Sequence, residues 1–96
     1  MNVAYYNLNL MLLYILRSDD VEQVRHNATQ IWKGYIDNTP RCVKRGLRYL
    51  FTSLSTIITI KALHNTAIST IKNFCEKYGD SHIKEVLYII DAILLE

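Results

Sequence analysis

Turn-forming residues are scarce in this chain. Its 96 residues hold one proline and three glycines, too few for the many tight turns of an all-β fold. Cysteine is scarce as well. Cys42 and Cys75 stand far apart and neither belongs to a CxxC pair, so the expectation is two free thiols in a reducing compartment. Charge of one sign is not in excess: eleven Lys+Arg against nine Asp+Glu leave +2, too weak a bias to mark a nucleic-acid binder by itself. Long apolar runs are missing. The longest, Leu10 to Leu16, is seven residues, against the ~20 of a membrane span. No basic leader or small-residue cleavage site precedes Arg17-Ser18-Asp19-Asp20, so no signal peptide is read, and Asn27-Ala28-Thr29 is expected to be an inert glycosylation sequon. What remains is 50% hydrophobic and 21% charged residues. That is the composition of one small globular domain, or a piece of something larger, without room for a large cofactor cavity.

What the chain does have is helical periodicity. Val21, Val24, Ala28, Ile31, Trp32 and Tyr35 trace one helical face. Asp19 is expected to cap that helix, with Glu22 completing a capping box. Asp37-Asn38-Thr39-Pro40 should end it, Thr39 capping the next helix and Pro40 opening it. That next helix is read from about residue 40 to 55, with Val43, Leu47, Leu50, Phe51 and Leu54 inside. Ile57-Ile58-Thr59-Ile60 is read as a loop. A further helix then covers about 60–78, with Leu63, Ala67, Ile71, Phe74, Cys75 and Tyr78 inside, and Gly79 as a left-handed stop. Beyond it, Asp80 or Ser81 caps a last helix that turns Ile83, Val86, Leu87, Ile90, Ile93 and Leu94 inward. At the other end, Leu8, Met11, Leu12 and Ile15 form the stripe of a first helix. Short connections make these helices antiparallel neighbours.

A shift of 39 positions superimposes the pattern. Ala28 falls on Ala67, Trp32 on Ile71 and Tyr35 on Phe74. Leu47, Phe51 and Leu54 fall on Val86, Ile90 and Ile93 in one direction, and on Leu8, Leu12 and Ile15 in the other. That period suits a two-helix HEAT-type repeat; a five-helix bundle with even spacing is the alternative. The expected architecture is an all-α, HEAT-type α-solenoid fragment of antiparallel helix pairs. It comprises a helix of a preceding repeat at about 3–17, a repeat at about 19–55 and another at about 58–96. Without polar capping repeats, it reads as a segment of a longer chain whose end helices lack neighbours.

Within that frame the stretch Leu13 to Leu54 carries Arg17-Ser18-Asp19, Val24-Arg25, Ala28, Trp32-Lys33 and Asn38-Thr39-Pro40-Arg41, followed by Leu47, Leu50 and Phe51. It resembles the middle-to-late HEAT repeats of the Gcn-one family of translational activators. The residues after about 60 fit the following repeat less tightly. Members of that family are far longer than this chain. The resemblance implies a cytoplasmic, non-enzymatic scaffold on the ribosome. Such a scaffold serves the amino-acid-starvation response by helping deliver uncharged tRNA to the kinase of initiation factor two alpha. The family's kinase contact belongs to repeats further towards its C-terminus, so no kinase-binding residues are carried over. An unrelated HEAT-repeat adaptor for transport or assembly is the alternative.

No chemistry of catalysis stands out. His26, His64 and His82 lack the i,i+3 or i,i+4 spacing of a helical metal site. Cys75 falls on an inner face, where a thiol is usually a small hydrophobe. Three scattered glycines form no phosphate loop. No enzyme activity, cofactor, metal or small-molecule substrate is therefore expected. The one candidate binding feature is basic: Arg41, Lys44, Arg45 and Arg48 share one arc of the third helix. That arc can hold phosphates of ribosomal RNA or an acidic protein surface, or it can be a solvated face answered by nearby acids. Arg41 lies in the first turn, where a cation is mildly disfavoured. Trp32 is read as core; Tyr5, Tyr6 and Tyr49 are less clearly inside.

Overall fold

The computed structural model describes residues 3–79 together with residues 84, 87 and 91. Four helices make up most of it: α1 (Val3–Leu16), α2 (Glu22–Tyr35), α3 (Thr39–Ile57) and α4 (His64–Tyr78). A short 3₁₀ turn (Lys61–Leu63) leads into α4. No strand occurs among the described residues. The fold is thus all-α, with helices packed on one another in a way consistent with a HEAT-type fragment. The expected last helix lies mostly outside the described residues. Lys84, Leu87 and Asp91 are helical, but Leu87 is 54% exposed and so leaves the expected inner face.

The central element is α1. It packs most extensively on α3, and also on α2 and α4. The core joins Met11, Tyr14 and Ile15 of α1 to Trp32 of α2, Val43, Leu50 and Leu54 of α3, and Ala67 and Phe74 of α4. Full burial of a side chain of this size stabilises by about 1.5–3 kcal/mol. The inner face of α1 differs from the expectation: Leu12 is exposed and Tyr14 is buried instead. Apolar residues surround α1 on nearly every side, so spacing alone does not select a face. A neighbour does. At Gly46 of α3 an added Cβ would sit 2.7 Å from Cγ and Sδ of Met11. The missing side chain lets α3 close on α1 at that point and turns Met11, Tyr14 and Ile15 inward.

The expected face of α2 is also too wide. Ala28 and Trp32 are buried, while Val21, Val24, Ile31 and Tyr35 are exposed. The helix meets α1 along a narrow i,i+4 line, and none of the described residues covers its other flank. In α3 and α4 the expected stripes are closer to the structure. Val43, Leu50, Leu54, Ala67 and Phe74 are buried; Leu47, Phe51, Leu63, Ile71, Cys75 and Tyr78 are half-buried. The turn after α3 lies where a loop was expected, beginning at Ile58.

The helix ends depart from expectation in instructive ways. The α2 N-cap is Val21, which offers no side-chain cap, so no capping box forms. Asp19 is used otherwise: its Oδ2 accepts the Val21 N–H at 3.0 Å, and its Oδ1 accepts the Thr66 hydroxyl at 3.0 Å. Asn38 rather than Thr39 caps α3, accepting the Arg41 N–H at 3.0 Å. Thr39 is the first helical residue, with Pro40 behind it. Gly79 stays right-handed at φ −53°, so it is no left-handed stop.

Arg17-Ser18-Asp19, conspicuous in the sequence, forms the corner between α1 and α2. Ser18 Oγ accepts Asn73 Nδ2 at 3.0 Å. The Thr66 hydroxyl of α4 donates to Asp19 Oδ1, and the buried Thr70 hydroxyl donates to Ile15 O at 3.4 Å. The corner thereby holds α4 against the end of α1.

Candidate functional site

The four basic residues singled out in the sequence stand at i, i+3, i+4 and i+7 of α3, which places them on one side of the helix. Arg41, Lys44, Arg45 and Arg48 are all exposed. The opposite side, Val43, Gly46, Leu50 and Leu54, is buried. The face is therefore held in place by the same packing that builds the core. No acidic residue lies in the first turn of α3, and Asp37 stands just before it.

The structure divides these four residues. Arg41 and Arg45 line a groove of about 310 Å³ between the N-terminal half of α1 and the junction of α2 with α3. Lys44 and Arg48 lie outside its lining. Tyr6 of α1 and Tyr35 at the end of α2 flank the groove, with Asp37 and Asn38 at the junction. Tyr6 is 48% and Tyr35 81% exposed. The sequence pattern puts Tyr35 on an inner face, where the structure leaves it exposed, and leaves Tyr6 less clearly inside with no neighbour assigned. Their meeting with the arginines is a tertiary fact. The one local clue was that Tyr35 closes α2 just before the turn that starts α3.

Cys42 also lines the groove. Burial pushes its thiol up, and the nearby Arg45 guanidinium pulls it part of the way back. Burial also pushes up the Cys75 thiol. Both shifts favour the neutral thiol over the reactive thiolate. His26 and His64 are exposed, and His64 Nδ1 lies 2.8 Å from Ile58 O, so that nitrogen carries the proton and donates it to the carbonyl. His82 falls outside the described residues. Among the described residues no group of three His, Cys, Asp or Glu side chains could hold a metal ion, and no helix is long and apolar enough to cross a membrane.

The periodicity did not reveal the role of Arg17. Its guanidinium carbon lies 5.2 Å from the ring centroids of both Tyr14 and Trp32, and the two rings meet edge to face at 5.6 Å. Cation–π contacts of this kind contribute roughly 0.5–2 kcal/mol. Arg17 also lines a cleft of about 270 Å³ with Tyr14, Asn73, Glu76 and Tyr78. Burial, with a smaller push from Tyr78 and an opposing pull from Arg17, raises the Tyr14 hydroxyl to about 12. Burial raises Tyr78 as well, again against the pull of Arg17. This cluster welds α1, α2 and α4 together.

No family model matches the chain, and no solved structure matches it. Among curated proteins, the chain is similar to the eIF-2-alpha kinase activator GCN1 of Saccharomyces cerevisiae, at 29% identity over 89 residues. The match takes in 91% of this chain and 3% of the length of that activator.

Proposed function

We propose that this chain is a non-enzymatic scaffold segment in translational control, working in the cytoplasm by binding the ribosome and protein partners. The observation that carries this reading is the similarity to the eIF-2-alpha kinase activator across nine-tenths of the chain. On this reading the chain divides into a helix of a preceding repeat at about 3–17 and two repeats at about 19–55 and 58–96, as part of a longer solenoid. The paired burial of Ala28 and Ala67, one repeat length apart, supports that division. So does the burial of both Leu54 and Ile15, whereas Tyr35 is exposed where its counterpart Phe74 is buried.

The ribosome-facing surface is the exposed side of α3. Arg41, Lys44, Arg45 and Arg48 offer four cations on one rigid helix face. Such a face gains affinity by releasing the counterions held around phosphates. It needs no cavity and no conformational change, which suits a scaffold.

Co-sedimentation with ribosomes tests the reading. The full chain is compared with a variant carrying Arg41→Glu, Lys44→Glu, Arg45→Glu and Arg48→Glu, its helicity checked by circular dichroism. Binding at physiological salt that disappears in the variant is the expected result. Equal binding by both, or none by either, contradicts it.

A further inference from the structure

We propose that the groove between α1 and the α2–α3 junction takes unpaired nucleotides of RNA, with Tyr6 and Tyr35 stacking on bases and Arg41 and Arg45 holding phosphates. The inference deepens the ribosome-facing reading and rests on it. Two kinds of group meet in this groove. The guanidinium groups of Arg41 and Arg45 outnumber the single carboxylate of Asp37, so the lining is net positive and complements a phosphate backbone. Beside them stand two tyrosines with much of their surface in water. Aromatic rings interleaved with cations form the stacking platform of single-strand binders, because every base has a face to stack.

The rings decide the class of partner. An acidic peptide would engage the arginines but leave the ring faces without a flat partner. A duplex offers phosphates, yet its base faces are hidden inside the stack. Only a strand whose bases are splayed out uses both halves of the lining. The groove also differs from the outer part of the basic face, because Lys44 and Arg48 have no place in its lining. Phosphates of a duplex can still run along those two residues while an adjacent unpaired stretch enters the groove.

The test uses the full chain and fluorescently labelled oligonucleotides, read by anisotropy over a salt series. Probes are short oligouridylate and oligoadenylate strands, an RNA duplex of the same length, and a polyglutamate peptide. Single strands are expected to bind more tightly than the duplex. Tyr35→Ala should weaken single-strand binding about tenfold with an unchanged salt slope, and Tyr6→Ala should act in the same direction, while Tyr35→Phe retains binding. Arg41→Gln with Arg45→Gln should lower the salt slope by about 1.4. Tyr35 is so exposed that its loss leaves the fold intact, as circular dichroism will verify. Equal affinity for duplex, indifference to both tyrosine substitutions, or preference for polyglutamate each overturns the proposal. Ribosome co-sedimentation of the same proteins separates the two claims. Ribosome binding without oligonucleotide binding overturns the groove alone. Tyrosine-dependent oligonucleotide binding without ribosome binding supports the groove and overturns the ribosome reading.

Discussion

Trp32 donates its indole N–H to the Thr39 hydroxyl at 3.0 Å, fastening the end of α2 to the first residue of α3. Thr39 belongs to the most specific piece of the sequence, Asn38-Thr39-Pro40-Arg41, and Trp32 to the helix before it. The indole is 2% exposed and lies against Tyr14 and Arg17. The hydroxyl it holds sits one residue beyond the Asn38 cap. The pair therefore sets where α3 begins, and with it the position of Arg41 and Arg45 at the groove.

Thr39→Val removes the acceptor and strands a buried donor. The expected loss is about 1–3 kcal/mol of unfolding free energy. In a Trp32→Phe background, which has no donor to strand, the same substitution should cost much less. Urea denaturation of the four proteins, arranged as a double-mutant cycle, measures the difference.

Gly46→Val places a branched side chain where even a bare Cβ lies 2.7 Å from Met11. Met11 is 1% exposed, so its thioether has little room to move aside. Overpacking should destabilise by about 1–3 kcal/mol, offset by only a few tenths of a kcal/mol from replacing a helical glycine with valine, itself a weak helix former. With Met11→Ala also present, the combined loss should be smaller than the sum of the two single losses. Equal sums, again from urea denaturation, would mean that the residues do not meet.

Tyr14 predicts a specific alkaline weakness. Its hydroxyl holds a proton up to about 12, against 10 in an unfolded chain. Burial disfavours the phenolate, so the protonated form contributes stability in full below pH 10. That contribution is lost as the pH rises towards 12. The size of the effect is about 3 kcal/mol at most. Tyr14→Phe cannot ionise. Its urea midpoint should therefore fall less between pH 9 and pH 12 than that of the unchanged chain, in the same range of the Tyr14 shift.

Among the described residues, the order of the four helices and the α2–α3 connection are readable from 3.6-residue spacing and from Asn38-Thr39-Pro40, because those signals are local. So is the clustering of Arg41, Lys44, Arg45 and Arg48, which follows from helical geometry alone. The inner face of α1 is readable only in part: Met11 and Ile15 of the expected stripe are buried, but Tyr14 turns inward where Leu12 was expected, because apolar residues lie on nearly every side of the helix and the approach of Gly46 selects among them. Asp19 looks like a cap but spends one oxygen on Thr66, 47 residues away, and no nearest-neighbour rule finds that partner. Val24, Ile31 and Tyr35 read as core because periodicity records an apolar stripe, not what covers it. The groove belongs to the same class: Tyr6 and Arg45 meet only once α1 has packed against α3.

The most direct test of the central claim is the salt dependence of ribosome binding. The unchanged chain is compared with a variant carrying Arg41→Gln, Lys44→Gln, Arg45→Gln and Arg48→Gln. If the exposed side of α3 is the contact, removing four cations should lower the slope of log affinity against log salt by about 3, at roughly 0.7–0.9 per phosphate contact. An unchanged slope would place the ribosome contact elsewhere and leave this face as a solvated surface.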